Sequence, residues 1–318
     1  MRRSASSTTS SSPGKHDMRS PGSCTRAARG LASGQMEIDF LKMQGCGDDV
    51  VVLDGARVPA ETPEHLPRLA QRILNRGFGV GGKALLVLGT SAGGMLPVRC
   101  LDSEGDEVAI SCNGARCAAR YASDSGTVSS SDFFIECGAQ KLHAQIIDSA
   151  HVRIDMGMPL SGEKTAEIRE SLRESFTRSI LVQGRSVTYT PISLGRSYAM
   201  IFVPDFSFPL RRTAREIAVQ PDFPEGTGIG FVQVYSREDL RLRTWEAPGE
   251  APADECACAS AALVAAVVNG FTDRELFIHL PGGNIFLQWE ESDNHIWLTG
   301  PAAYIFTGTY DFTPASRE

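Results

Sequence analysis

The chain has 318 residues, enough for two domains that each bury a core, and its 42% hydrophobic and 22% charged residues are ordinary for a globular protein. A net charge of −7 with no basic stripe argues against nucleic acid as a partner, and no apolar run approaches the roughly 20 residues of a membrane span. Eight cysteines (Cys24, Cys46, Cys100, Cys112, Cys117, Cys137, Cys256, Cys258) form no CxxC pair and no disulfide spacing, and the six histidines form no HxxH or HExxH pair. That pattern reads as a reduced, cytoplasmic protein with buried or catalytic thiols and no metal site.

Residues 1–35 are rich in Ser, Arg and Gly, carry Asp17 as their one acid, and show no periodicity. A disordered tail is expected there: an ordinary tail, a start set too early with Met36 as the true start, or a transit peptide. Folded sequence begins with a strand from Glu37 to Met43, a turn at Gly45 to Gly47, and a second strand over Val50 to Leu53 that stops at Asp54-Gly55. Leu66, Leu69, Ile73 and Leu74 have helical spacing. Strands follow at Ala84–Gly89 and Met95–Leu101, then a polar turn from Asp102 to Asp106, and three short strands over 133–137, 142–147 and 151–156. The second half repeats this rhythm. Strands are expected at Ser186–Ile192 and Tyr198–Val203, a helix at Arg211–Val219, and a hairpin from Phe231–Ser236 and Leu240–Glu246. Pro281-Gly282-Gly283 turns between strands at 276–280 and 284–290, and Ile296–Tyr310 closes the chain. The predicted class is α+β: two pseudo-twofold lobes, each a curved, mostly antiparallel sheet around a central helix, with the active site in the cleft between them.

Each half also holds a turn of small residues that opens an Ala-rich helix. One runs Ser111-Cys112-Asn113-Gly114-Ala115-Arg116-Cys117, the other Cys256-Ala257-Cys258-Ala259-Ser260-Ala261. The first-turn N–H groups of such helices favour an anion, and a thiol placed there ionises more readily and can act as base or nucleophile. The second helix ends at Asn269-Gly270, a C-cap signal.

These segments resemble the diaminopimelate epimerases. Phe40 to Asp49 is similar to their amino-terminal motif, Cys112-Asn113-Gly114-Ala115-Arg116-Cys117 to their first catalytic segment, and Phe223 to Thr227, Phe231 to Val234, Arg241 to Glu246 and Gly249-Glu250 to their second-domain signature. Pro281-Gly282-Gly283 and Trp297 to Ala302 resemble the closing hairpin and strand. The resemblance spans about residues 36–311. It implies a first lobe of 36–153 completed by 296–318, a second lobe of 154–295, and a homodimer. It also implies a cofactor-free epimerase or racemase converting LL- to meso-diaminopimelate, a precursor of lysine and peptidoglycan, by removing the α-proton with one cysteine and reprotonating from the opposite face with another.

The departures fall on the chemistry. Ser111 stands in the first cysteine position, and Ala257 and Ala259 replace cradle glycines beside the retained Cys256. Family asparagines that hold substrate correspond to Asp48, Asp102, Arg196 and Gly228; Ala247 replaces an arginine, Lys83 replaces an aspartate, and Glu246 is kept. A serine hydroxyl is far too weak an acid to stand in for a thiolate without its own base. The candidate catalytic groups are therefore Cys256, Ser111 and Cys112, with Cys112 turning into the empty position. Candidate substrate contacts are Asp48, Asp102, Asn113, Gly114, Arg196, Gly228, Glu246, Ala257 and Cys258. Cys112, Cys117 and Cys258 read equally as small core residues, Asp48 and Asp102 as turn formers, and Arg196 as a solvated loop charge. Asp48 and Asp102 would repel a distal carboxylate and attract an amine, which points to diaminopimelate or a more basic amino acid. Two alternatives stay open: a one-base isomerase or dehydratase on another amino acid, and a silent homologue that binds a ligand or partner.

Overall fold

The computed structural model describes residues 36–59, 62–159, 177–194, 196–223, 226–246 and 255–314. The expected disorder over 1–35, the arginine position at Ala247 and the Gly249-Glu250 signature lie outside them. The first half of the described chain runs β1 (Met36–Gly45), β2 (Asp48–Asp54), α1 (Thr62–Ile73), β3 (Ala84–Leu88), β4 (Met95–Leu101), α2 (Cys112–Asp124), β5 (Asp132–Cys137), β6 (Gln140–Ile146) and β7 (His151–Asp155). The second runs β8 (Arg178–Val182), β9 (Arg185–Leu194), β10 (Arg196–Phe202), α3 (Leu210–Ala218), β11 (Gly228–Val234), β12 (Asp239–Glu246), α4 (Glu255–Val268), β13 (Glu275–Leu280), β14 (Gly283–Trp289), β15 (Ile296–Pro301) and β16 (Ala303–Phe312).

The strands hydrogen-bond in the order β16-β1-β2-β3-β4-β5-β6-β7-β15-β14-β13-β12-β11-β10-β9-β8. The pairing is mostly antiparallel. Its parallel steps recur at matching places, β2–β3 around α1 and β4–β5 around α2, then β10–β11 around α3 and β12–β13 around α4. The second half thus repeats the first, as two lobes joined where β7 lies antiparallel to β15 with Trp297 opposite Asp155.

Burial explains which helix goes where. Every residue of α2 from Cys112 to Ala122 is buried, and α4 is buried on nearly all faces from Cys256 to Ala266. A helix without a solvated face must lie inside a fold, and Ala-rich sequences make it thin enough for a curved sheet to close around it. The amphipathic helices take the outside. α1 buries Leu66, Leu69, Ala70 and Ile73 against β1, β2 and β3, and α3 buries Ala214 and Ile217 against the second lobe. One apolar core runs through both lobes and includes α2 and α4, which touch near their N-termini.

Two elements differ from expectation. β8 is a five-residue strand whose Ile180 and Val182 alone face inward, too short for its period to register in the sequence. The stretch expected as one closing strand is two. β15 lies between β7 and β14, the chain turns at Ala302, and β16 pairs with β1. The break follows Pro301, which has no N–H to continue a ladder.

Candidate functional site

The site grows from the two inner helices. Ser111 is the N-cap of α2, with extended backbone (φ −70°, ψ 156°), and its hydroxyl accepts a hydrogen bond from the Gly114 N–H at 3.1 Å. The residue in the expected first-cysteine position therefore satisfies one of the orphan donors of the first turn. Gly114 keeps the packing beside it close, since a Cβ there would sit 3.2 Å from Ile110 and 3.4 Å from the Ser111 hydroxyl. Cys112 is the first residue of α2 and Cys256 the second of α4; both are buried.

Between the two helix starts lies Arg116, with 0% of its surface exposed. Its Nη1 donates to Cys112 Sγ at 3.3 Å and to Cys256 Sγ at 3.4 Å. Its Nη2 donates to Cys46 Sγ at 3.5 Å and to Asn113 Oδ1, and its Nε donates to the Pro301 carbonyl at 3.2 Å. Among the described residues no carboxylate forms a salt bridge with it. Two glycines make room. A Cβ at Gly300 would stand 3.0 Å from the guanidinium carbon, and one at Gly45 3.3 Å from Nη2. Burial works against the charge of Arg116, but the facing sulfurs of Cys256, Cys112 and Cys46 outweigh it and hold the guanidinium protonated.

Asn113 extends the network. Cys256 Sγ donates to its Oδ1 at 3.2 Å, while its Nδ2 donates to Asp48 Oδ2 at 2.7 Å. The other Asp48 oxygen is paired with Lys83. The aspartate and the lysine that replace family residues of amide and acid type thus form an ion pair, which sets the orientation of Asn113. With its charge offset and both oxygens engaged, Asp48 does not supply the free acid from which a more basic substrate was expected. Asp102 also acts as a turn former: its Oδ1 accepts the N–H groups of Glu104 at 2.9 Å and Asp106 at 3.0 Å, closing the turn after β4.

The remaining candidates scatter. Gly228 is buried at the start of β11, directly opposite Glu246 at the end of β12. Arg196 is exposed at the start of β10, donates to the Gly226 carbonyl at 2.9 Å, and stands 5.9 Å from the centre of the Tyr198 ring. Ala257 is half-buried; Cys258 is fully buried, and a Cβ on Gly230 of β11 would lie 3.2 Å from its sulfur. Cys117 and Cys100 are core thiols that burial pushes up to about 12, so neither ionises near neutral pH. Sequence reasoning gave no role to Arg116 or Cys46. The available signal was a lone arginine on a stretch of helix otherwise made of small residues, four positions after Cys112. No helix among the described residues is long and apolar enough to cross a membrane.

Comparison with known proteins agrees with this architecture. The diaminopimelate epimerase family matches residues 40–160 and 190–305. A diaminopimelate epimerase of Desulfitobacterium hafniense is 36% identical over 280 residues, covering 85% of this chain and 97% of its own. One from Desulforapulum autotrophicum is 32% identical over 282 residues, covering 86% and 99%. Among solved structures, a methylitaconate-delta-isomerase (TM-score 0.57, 14% identity, 88% of this chain and 97% of that one) shares the fold. So does a hydroxyproline epimerase from Agrobacterium vitis (TM-score 0.55, 14% identity, 87% and 92%). The chain belongs to the diaminopimelate epimerase family.

Proposed function

We propose that this chain is a cofactor-independent isomerase that inverts an α-carbon of diaminopimelate between its two lobes, with Cys256 as one of the groups that exchange the α-proton. The observation that carries this reading is the meeting of Cys256 with Asn113 and Arg116, where the first turns of α2 and α4 face each other across the lobes. Removing a proton next to a carboxylate needs a base poised near working pH, and a thiol at a helix start beside a guanidinium has that character. Asn113 and Gly114 line the α2 start, and Gly228, Glu246, Arg196 and Ala257 are the second-lobe contacts we assign to substrate. We take the lobes as 36–153 with 296–318 and as 154–295, the assembly as a homodimer, and the site of action as the cytoplasm, serving lysine and cell-wall precursor synthesis.

A second reading is favoured by Ser111, whose hydroxyl caps α2 in the position of a thiol. On it, Cys256 works alone in a one-base isomerisation or a dehydration. The two readings separate in D2O under reducing conditions with LL- and meso-diaminopimelate, followed by NMR. Exchange with inversion supports epimerisation, exchange without inversion the one-base reading, and a new double bond a lyase. Retained activity in Cys256→Ala would overturn both.

A further inference from the structure

The Arg116 guanidinium is completely buried, and among the described residues its acceptors are three sulfurs, an amide oxygen and a peptide carbonyl. A buried cation with no anion beside it is costly, and nearby groups that can ionise do so to offset it. The other buried or half-buried cations of this region are matched. Lys42 pairs with Asp49 at 2.7 Å, and Lys83 pairs with Asp48. Asp48 reaches Arg116 only through Asn113. What stands next to Arg116 instead is a pair of thiols on one nitrogen, Cys112 and Cys256, each in the first turn of a helix whose dipole also favours an anion.

We propose that Arg116 is a positioning residue that keeps one negative charge on the Cys112–Cys256 pair, so that one sulfur is a thiolate while the other holds a proton, and that Cys112 thereby supplies the second thiol in place of Ser111. Asn113 adds the bias. Its Oδ1 accepts the S–H of Cys256, while its own amide is held in orientation by Asp48 and Lys83, so in the resting protein the proton sits on Cys256 and the charge on Cys112. One thiol and one thiolate on two facing helices is the protonation state that removal from one side and return from the other requires: the thiolate takes the α-proton and becomes a thiol, the other thiol gives its proton to the carbanion and becomes the thiolate, and total charge is unchanged. Among the described residues, the groups facing Arg116 are Cys46 from the β1–β2 turn, Cys112 and Asn113 from α2, Cys256 from α4 and the Pro301 carbonyl from β15. Asp48, Lys83 and Cys117 lie one step further out.

This inference rests on the functional reading above in its chemistry but not in its test, which needs no substrate. Thiolate absorbance near 240 nm is counted per chain at pH 7 in the reduced wild-type protein, in Cys112→Ser, Cys256→Ser and Cys46→Ser, and in the doubly substituted Cys112→Ser/Cys256→Ser protein. The expected result is one thiolate in the wild type and in Cys46→Ser, and none in the double variant. Arg116→Met is expected to lower the band at pH 7 by roughly tenfold, as a rise of about two units from below neutrality to above it would, while Arg116→Lys restores it in part. A merely structural role for Arg116 would leave the band of folded protein unmoved. Absence of a thiolate from the wild type, its survival in the double variant, or its loss in Cys46→Ser overturns the proposal, and these results stand even where Arg116→Met does not fold. A thiolate with the expected dependence and no turnover of diaminopimelate would remove the functional reading and leave this one in place.

Discussion

Asn113 Nδ2 donates to Asp48 Oδ2 at 2.7 Å, tying the first turn of α2 to the start of β2 across 65 positions of chain. The other Asp48 oxygen holds Lys83, so a salt bridge stands behind the amide that meets Cys256. Asp48→Asn leaves a partly buried lysine without its partner and is expected to cost about 1–2 kcal/mol, and Lys83→Asp, which sets two acids together, somewhat more. Introduced together, the two changes leave an amide facing a single acid, with neither a lone lysine nor two acids together, and should cost less than their sum by about 1 kcal/mol. Denaturant midpoints of the four proteins of this cycle measure the coupling.

Ser111→Ala removes the hydroxyl that caps α2 and is expected to destabilise the fold by about 1 kcal/mol, with Ser111→Gly costing only a few tenths. Thermal unfolding distinguishes them. Equal losses would mean that the Gly114 N–H is satisfied in some other way.

The hairpin turn between β13 and β14 presses on the turn between β1 and β2. A Cβ on Gly282 would lie 1.6 Å from the Cys46 carbonyl oxygen, so Gly282→Ala must displace one turn from the other. A loss of about 2 kcal/mol or more is expected, against less than about 0.5 kcal/mol for Gly77→Ala, where nothing lies closer than a flexible side-chain oxygen at 3.5 Å. Urea denaturation of the two variants provides the comparison.

Asp49 lies between Lys42 and Arg76, at 2.7 and 2.6 Å. Burial raises its carboxyl, but the hydrogen bonds and charges of Arg76 and Lys42 outweigh this and bring it from 3.8 down to about 2. A depressed acid stabilises the fold above its unfolded value and loses that contribution as pH falls through the folded one. About 1–2 kcal/mol, after allowance for solvent screening of the exposed Arg76, should therefore be present above roughly pH 4 and disappear toward pH 2. In Asp49→Asn that part of the acid-side decline should be missing from a stability–pH curve.

Cys100 and Cys117, both pushed up to about 12 by burial, should resist alkylation at pH 8 in the native protein and react once it is unfolded. Peptide mass spectrometry before and after addition of guanidinium reads this directly.

Much of the frame was legible along the chain because its causes are local. Small residues and a hydroxyl mark the start of α2 at Ser111, Asn269-Gly270 ends α4, Pro281-Gly282-Gly283 turns a hairpin, and alternation at Ile38 and Phe40 makes β1 a strand with one inward face. The resemblance carried by the segments around Gly45, Cys112, Glu246 and Trp297 added the family and the two-lobed class. Asp102 illustrates the limit of that information: an acid in a polar turn fits a ligand contact and a turn former alike, and only the structure shows its two bonds to backbone N–H groups.

By itself, then, the sequence determined the elements, the two helix starts and the retention of Cys256, all of which depend on residues within a few positions of one another. Only the tertiary structure decided what faces what. It brought Cys46, Cys112 and Cys256 around Arg116, set Lys83 on Asp48, and made a helix cap of Ser111. The reason is physical: partners of a buried charge are chosen by the packing of strands and helices far apart in the chain, and no local period or propensity records which of them will meet.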